Sequence, residues 1–155
     1  MRVLIVGSGG REHALAWKAS LSPLVSEVFV APGNGGTELE PLIKNVPIHS
    51  DNIDGLADFA LQNKIDLTIV GPEDPLVLGI TDKFKSLNLN CFGPSKDAAQ
   101  LEGSKDFMKK FLIRHNIPTA TYQSFIDADE AILYIKNQGC PLVIKADGLA
   151  AGKGV

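Results

Sequence analysis

The stretch VLIVGSGGRE, residues Val3–Glu12, contains the strongest fold signal near the start of this chain. Its first four residues are apolar and mostly β-branched, which is typical of a strand that is buried on both faces of a parallel sheet. The run Gly7–Gly10 ends this strand, and helix-forming residues follow from Arg11 to about Ser20. A strand, a glycine-rich turn and a helix in this order predict the first unit of an α/β fold.

The same alternation of strand and helix continues as far as Pro94. Further strands are predicted at residues 28–31, 46–48, 67–70 and 91–93. Glycines follow three of the strands, at Gly7–Gly10, Gly33–Gly36 and Gly71. In a doubly wound parallel sheet, ligands bind beyond the carboxyl ends of the strands, so we expect a binding site at this edge.

Apolar residues at helical spacing predict the helices between these strands. In the first helix, Ala14, Trp17 and Leu21 form one apolar face. After the fourth strand we expect a single helix, whose apolar stripe runs from Leu76 to Leu87.

The sequence changes character near Ser95 and predicts a second segment. Two helices are expected there, one on each side of Gly103. The elements expected after them are a strand at residues 121–125, a helix at 127–138 and a strand at 142–145. A glycine-rich stretch to Val155 comes last, and because such a loop normally leads into further structure, we expect the chain to be part of a longer protein.

Composition limits the classes of function that the chain can have. Apolar residues make up 45% and charged residues 21% of the 155 residues, which is typical of a folded globular protein. The net charge of −3 gives no support for nucleic-acid binding, and no run approaches the roughly 20 apolar residues of a membrane span. Cys91 and Cys140 show no metal-binding or redox spacing, and the N-terminus lacks a signal-peptide pattern. We therefore expect a cytoplasmic protein that binds neither nucleic acid nor a membrane.

The glycine loop after the first strand invites comparison with dinucleotide-binding sites. It lacks the full pattern, because Glu12 stands where the third glycine of G-x-G-x-x-G is required. The second strand ends in Ala31 and Pro32, without an acidic residue for a ribose hydroxyl. Backbone N–H groups at a helix N-terminus still form a general anion site, and Arg11 adds a positive charge that suits phosphate. The alternative is a tight turn beside a solvated arginine.

Two acidic residues, Glu73 and Asp74, follow the fourth strand. They could bind an amine or a hydroxyl group of a substrate, or they could favour the first turn of the next helix through its macrodipole. His13 is interpreted as a supporting residue and not as a catalytic base. No cluster of His, Cys and carboxylate residues has metal-ligand spacing, so we predict no metal ligand in this sequence.

The last candidate site combines two lysines with the glycine-rich stretch. Lys105 lies at a predicted helix start, where a positive charge opposes the macrodipole by up to about 1 kcal/mol, so it indicates either a bound anion or a solvated lysine. Lys145 interrupts an otherwise apolar strand, and we expect it to point at a ligand or an acid. The stretch Asp147–Val155 does not match a Walker A loop, and it predicts either a phosphate-binding loop or a flexible turn.

Several segments, taken together, resemble the glycinamide ribonucleotide synthetases, also called phosphoribosylamine–glycine ligases. The segments are Val3–Leu15, Ala31–Gly36, Val70–Ile80, Phe92–Phe111, Ile117–Ala120 and Val143–Val155. They span the whole chain and resemble the N-terminal portion of that family. The resemblance implies a Rossmann-like preATP-grasp domain at residues 1–100, in which a parallel sheet carries helices on both faces. It also implies the incomplete beginning of an ATP-grasp domain at residues 101–155.

The resemblance also implies a reaction, the second step of de novo purine biosynthesis. ATP phosphorylates glycine to glycyl phosphate, and the amine of 5-phosphoribosylamine then displaces the phosphate to give glycinamide ribonucleotide. Mg²⁺ or Mn²⁺ assists, through ligands expected beyond Val155. The residues implied to bind ATP are Lys105, Lys145, Asp147, Gly148, Gly152, Lys153 and Gly154. Those implied to bind the phosphoribosylamine are Gly9, Gly10, Arg11 and Glu73. No catalytic residue is expected within the chain, and the chain alone is expected to be inactive.

Three other interpretations stay open on the sequence alone. Another ATP-grasp carboxylate–amine ligase would share Lys105 and Lys145 but not the segment GSGGREHAL. A nicotinamide-dependent oxidoreductase is disfavoured by Glu12 and by the missing ribose acid. A non-catalytic module that binds a nucleotide or phosphate, or that mediates oligomerisation, would need none of the reaction chemistry.

Overall fold

A five-stranded parallel sheet, with the strand order β3-β2-β1-β4-β5, forms the centre of the N-terminal part of the chain. The strands are β1 (Arg2–Gly7), β2 (Glu27–Pro32), β3 (Ile43–Asn45), β4 (Leu67–Val70) and β5 (Cys91–Phe92). The helices are α1 (Gly10–Ser20), α2 (Gly35–Glu38), α3 (Ile53–Gln62), α4 (Glu73–Leu78), α5 (Ile80–Ser86), α6 (Lys96–Gly103), α7 (Lys105–Arg114) and α8 (Ala128–Gln138). The structure is a computed structural model that describes residues 1–150 and 154–155.

The chain divides into two compact units, residues 1–99 and residues 100–155. All the buried hydrophobic residues of the described chain belong to the first unit. In the second unit, no residue that the structure describes is fully buried. None of the helices in the described part of the chain is long and apolar enough to cross a membrane.

The central strands bury side chains on both faces of the sheet. Leu4 and Val6 of β1 pack against Leu56 of α3 and Phe84 of α5. Val3 and Ile5, which alternate with them, belong to a second cluster with Ala16 of α1 on the opposite face. Because successive strand residues point to opposite faces, a continuous apolar run fills both clusters. The predicted α/β class, a parallel sheet with helices on both faces, is confirmed.

The apolar face predicted for the first helix is wrong. Trp17 is 48% exposed and Leu21 is 57% exposed, whereas Ala16 is fully buried and Glu12 is 3% exposed. The small side chain of Ala16 lets α1 lie close to the sheet, where bulky side chains would hold the helix away. The face of α1 that contacts the sheet therefore consists of small residues and one buried carboxylate, and not of the largest apolar side chains.

The single helix predicted after β4 is divided in two at Gly79. This residue has φ = +98°, a left-handed conformation that glycine adopts readily and that ends α4. Its N–H group donates to the carbonyls of Pro75 and Leu76, and α5 begins at Ile80.

Two further boundaries differ from the sequence prediction. The third strand lies at Ile43–Asn45 and not at residues 46–48, because Ile43 pairs with Val28 of β2. The helix α2 was not predicted, since a segment that begins with two glycines has a low helix propensity.

The strands predicted at residues 121–125 and 142–145 are not formed in the structure. A strand is stable only when its backbone groups pair with a neighbour, and the described residues of the second unit offer these segments no ladder partner. Ala146 donates its N–H group to the carbonyl of Gly154 at 2.8 Å. Val143 and Ile144, which belong to the second of these predicted strands, are 68% and 66% exposed.

Thr68 in β4 provides a test of this core. Its side chain is 1% exposed, and its hydroxyl oxygen has no hydrogen-bond partner among the described residues. A buried hydroxyl without a partner costs roughly 1–3 kcal/mol. We therefore expect Thr68→Val, which keeps the shape and removes the hydroxyl, to raise the free energy of unfolding by about 1 kcal/mol in urea denaturation.

Thr37→Val is the matched control for this change. Thr37 is also fully buried, but its hydroxyl lies 2.8 Å from the carbonyl of Asn34 and 2.7 Å from Oδ1 of Asn45, and it accepts the N–H group of Asn34. Removing it leaves the N–H group of Asn34 and Oδ1 of Asn45 without this partner, so the free energy of unfolding should fall by about 2 kcal/mol. If both variants changed the free energy of unfolding in the same direction, the difference drawn between an unpartnered and a hydrogen-bonded hydroxyl would be contradicted.

Candidate functional site

The loops after β1 and β4 meet at the carboxyl edge of the sheet, and Arg11 links them. Its Nε group lies 2.7 Å from Oε1 of Glu12, and its Nη1 group lies 3.2 Å from Oε1 of Glu73. The side chain of Arg11 is 53% exposed and that of Glu73 is 46% exposed, so this pair faces solvent. The structure thus brings together two of the predicted substrate-binding residues, one cationic and one anionic.

Glu12 lies beneath this pair and is almost fully buried. Its Oε2 atom accepts the N–H group of Gly9 at 2.7 Å, while Oε1 accepts Nε of Arg11. A Cβ atom on Gly7 would lie only 2.5 Å from Cγ of Glu12, and one on Gly71 would collide with its carboxylate. Glycine at the ends of two neighbouring strands therefore provides the space that this carboxylate occupies.

Hydrogen bonds and charges shift the pKa values of this group. The hydrogen bond to Glu12, assisted by Glu73, raises the pKa of Arg11 above its ordinary value. The N–H group of Glu73 itself and, after it, Arg11 lower the pKa of the Glu73 carboxyl below its usual range. Both groups are therefore charged across the physiological pH range.

The two predicted glycines of this loop differ in what they offer a ligand. The N–H group of Gly9 already donates to Glu12, so it is engaged within the protein. Gly10, the first residue of α1, is exposed and has open space around it, since a Cβ atom there would meet nothing within 4 Å.

The loop after β2 is tied to the same edge by Asn34, which the sequence reasoning did not select. Its Nδ2 group donates to the carbonyl of Ser8 at 2.8 Å, and its Oδ1 atom accepts the N–H groups of Gly36 and Thr37. Asn34 is the N-cap of α2, and an asparagine directly before a helix start is the sequence pattern that indicates this role. The two glycine loops are therefore held in a fixed relation.

His13 supports this arrangement from α1. Its Nε2 atom lies 3.0 Å from Oε1 of Glu40, and a Cβ atom on Gly36 would lie 2.8 Å from its ring. Together with Gly10 and Trp17, these side chains line a shallow depression of about 330 Å³. These contacts join α1 to the segment after β2, and the supporting role of His13 stays a prediction.

The second candidate site lies within the second unit, at the N-terminus of α7. Ser104 is the N-cap, and its hydroxyl accepts the N–H group of Phe107 at 3.1 Å. The carboxylate of Asp147 accepts the N–H groups of Lys105 at 2.7 Å and of Asp106 at 3.3 Å, and the hydroxyl of Ser104 at 3.1 Å. A carboxylate from the glycine-rich loop therefore occupies the position in which a helix N-terminus binds an anion.

The ammonium group of Lys105 is held by the same loop. Its Nζ atom donates to the carbonyl of Gly148 at 2.6 Å. Loss of hydration raises the pKa of Asp147, but hydrogen bonds from Gly148, Asp106, Ser104 and Lys105 hold it below its ordinary value. Of the predicted ATP-binding residues, the structure thus brings Lys105, Asp147 and Gly148 together.

The other predicted ATP-binding residues are placed differently. Lys145 is exposed, and the strand predicted around it is not formed, while its predicted contact with a ligand or an acid stays a prediction. The carbonyl of Gly154 accepts the N–H group of Ala146. Gly152 and Lys153 lie outside the described residues.

Metal-ligating side chains are not clustered in the part of the chain that the structure describes. Residues 1–150 and 154–155 contain no group of three or more His, Cys, Asp or Glu residues that could hold a metal ion. The metal ligands that the resemblance implies are expected beyond Val155, and we assign no chemistry through a metal to the described residues.

Two family models together match the chain from end to end. The model described as "Phosphoribosylglycinamide synthetase, N domain" matches residues 1–102, and "Phosphoribosylglycinamide synthetase, ATP-grasp (A) domain" matches residues 103–155. The chain is 63% identical to a phosphoribosylamine–glycine ligase from Escherichia coli O6:H1 and 62% identical to one from Pseudomonas putida. Each comparison covers 100% of this chain but only 36% of the length of the relative.

Two solved structures show the same fold. The biotin carboxylase domain of the Hydrogenobacter thermophilus 2-oxoglutarate carboxylase, in complex with MgADP, ADP and bicarbonate, has a TM-score of 0.74 at 18% identity, over 97% of this chain and 36% of that one. A structure described as glycinamide-RNase-transformylase T from Mycobacterium tuberculosis has a TM-score of 0.66 at 16% identity, over 100% of this chain and 45% of that one. At these identities the likeness shows the fold alone.

Proposed function

This chain belongs to the phosphoribosylglycinamide synthetase family, and from this premise we propose that it takes part in the ATP-dependent ligation of glycine to 5-phosphoribosylamine. In this reaction the glycine carboxylate is phosphorylated by ATP, and the amine of phosphoribosylamine displaces the phosphate to form the amide. Support comes from the relatives, which carry the name of this activity at 62–63% identity. We further propose that the protein acts in the cytoplasm on small-molecule substrates.

We assign the phosphoribosylamine to the carboxyl edge of the sheet. The half-exposed guanidinium group of Arg11 suits the phosphate, and the carboxylate of Glu73 suits the amine or a ribose hydroxyl. In this structure the two groups form an ion pair at 3.2 Å. The phosphate of phosphoribosylamine can take the place of the Glu73 carboxylate beside Arg11. Its amine can take the place of Arg11 beside Glu73.

We assign the ATP phosphates to Lys105 and the glycine-rich loop in the second unit. The observation that carries this assignment is the carboxylate of Asp147 at the N-terminus of α7, since it shows that these N–H groups hold an anionic oxygen. Lys105 now donates to the neutral carbonyl of Gly148, and it gains energy when it exchanges this contact for a charged phosphate oxygen. Lys145, which is exposed, is free to reach the same phosphates.

These residues supply what phosphoryl transfer requires of a protein. The transferred group needs positioning and neutralisation of charge more than covalent help. Lysine ammonium groups neutralise the phosphate charge, and backbone N–H groups fix the orientation. We further propose that residues 1–100 form the preATP-grasp domain and that residues 101–155 begin the ATP-grasp domain.

Calorimetric titration of the chain with ATP and, separately, with ribose 5-phosphate tests this function. We expect both ligands to bind, each with its own site and without competition. Glycine-dependent release of ADP should not reach an enzymatic rate, because the chain spans only 36% of the length of its relatives. Absence of binding, or turnover at the rate of a complete ligase, would contradict the proposal.

A further inference from the structure

Glu12 is a buried charge at the sheet edge that the proposed reaction leaves without a role. It is 3% exposed, and burying a carboxylate is costly unless it is paired and hydrogen-bonded. Its partners are the N–H group of Gly9 and Nε of Arg11, both at 2.7 Å. Glycines at two strand ends provide its space, which indicates that the fold is built around this side chain.

Arg11 needs such a partner if it is to bind a phosphate well. It is a long side chain at a half-exposed position, so without restraint it would lose rotamer freedom on binding. Glu12 holds Nε, which fixes the plane of the guanidinium group and leaves Nη1 and Nη2 on its outer side. Nη1 contacts the exposed Glu73, and Nη2 has no partner among the described residues. Two N–H donors in a fixed plane match a bidentate contact with phosphate.

We propose that Glu12 is a positioning residue, which sets the guanidinium group of Arg11 for the phosphate of the ligand at the sheet edge. The proposal rests on the proposed function, because it takes the assignment of a sugar phosphate to this edge as given. Glu12 also engages the N–H group of Gly9 and places a negative charge under the glycine loop. A phosphate is therefore received by the arginine and not by the loop, in contrast to a dinucleotide site.

Calorimetric titration with ribose 5-phosphate tests the proposal in the full chain and four variants. Glu12→Gln keeps the shape of the side chain but cannot accept from both Gly9 and Arg11, so the dissociation constant should rise about tenfold. Arg11→Ala should weaken binding at least as much. Adding Glu12→Gln to Arg11→Ala should cause no further weakening, because Glu12 acts through Arg11. Glu27→Gln is the matched control and should leave binding unchanged, because Glu27 is the first residue of β2 and lies at the amino end of the strands.

Each outcome decides the matter. The positioning role is overturned if Glu12→Gln binds ribose 5-phosphate as well as the wild type does. It is also overturned if Glu12→Gln weakens binding by the same factor in the wild type and in Arg11→Ala. In both cases the proposed binding of a sugar phosphate at the carboxyl edge still stands. A wild-type chain that binds no ribose 5-phosphate overturns the function and this proposal with it. If Glu12→Gln does not fold, Glu12→Asp replaces it, since it keeps the charge and shortens the reach to Arg11 by one methylene. It should then weaken binding about fivefold, and unchanged binding would overturn the proposal.

Discussion

Replacing Gly71 with alanine should lower the free energy of unfolding by about 3 kcal/mol, as measured by urea denaturation followed by circular dichroism. The added Cβ atom would collide with the carboxylate of Glu12. This carboxylate cannot move aside cheaply, because it is buried and holds both Gly9 and Arg11. The cost therefore combines steric overlap with the loss of hydrogen bonds to a buried charge.

Two variants test whether the collision with Glu12 causes the loss of stability, or whether any glycine-to-alanine change in these loops would cause it. Gly10→Ala is the matched control, because a Cβ atom there meets nothing within 4 Å, and it should change the free energy of unfolding by less than about 0.5 kcal/mol. In a Glu12→Ala background, Gly71→Ala should cost less than about 1 kcal/mol, since the colliding group is gone. An equal cost in both backgrounds would show that Glu12 is not the cause.

Lys105→Met should raise the dissociation constant for ATP about thirtyfold, measured by calorimetric titration against the wild-type chain. A contact between an ammonium group and a phosphate contributes roughly 2 kcal/mol, and methionine keeps the length of the side chain without its charge. The thermal midpoint should change little, because the contact that Lys105 makes in the free protein is with one carbonyl of a loop.

Lys110→Met is the matched control for this prediction. Lys110 belongs to the same helix and is 69% exposed, but its ammonium group pairs with Asp106 one turn earlier. Its loss should change ATP affinity less than about twofold, since exposed pairs of this kind contribute little. Equal weakening by the two variants would indicate a general effect of net charge and would remove the specific role of Lys105.

The sheet could be predicted because its signals are local. The continuous apolar run Val3–Val6 can be satisfied only by burial on both faces, and β4 was predicted at its observed residues, 67–70. The helix predicted at residues 127–138 lies at 128–138 for the same reason, since Asp127 caps it within the sequence.

The predictions that were wrong concern features that depend on residues distant in sequence. The predicted strands at residues 121–125 and 142–145 have suitable apolar residues, but pairing is decided by a neighbour that the described second unit does not supply. The face of α1 was misjudged because apolarity was weighed above size, and Ala16 packs more closely on a sheet than Trp17 can.

In the candidate site, too, residues could be predicted from their local sequence position, whereas contacts with residues distant in sequence could not. Arg11 and Glu73 were selected from their positions after strands, and their contact follows from parallel strands that end at one edge. Glu12 was noticed only as a departure from a glycine pattern, because its burial depends on space left by Gly71, which lies in another loop. Asp147 was predicted as part of a loop, but its contact with the α7 N-terminus joins segments that the sequence separates.

None of the described residues of the second unit is fully buried, and this has a consequence for local opening in this unit. Segments with few buried contacts open locally, at a small fraction of the energy that global unfolding requires. We therefore expect their amide hydrogens to exchange quickly with deuterium, and to exchange more slowly when ATP is added. Because ordering consumes part of the binding free energy, we expect the second unit to hold the ATP proposed to bind there less tightly than a rigid unit with the same contacts would.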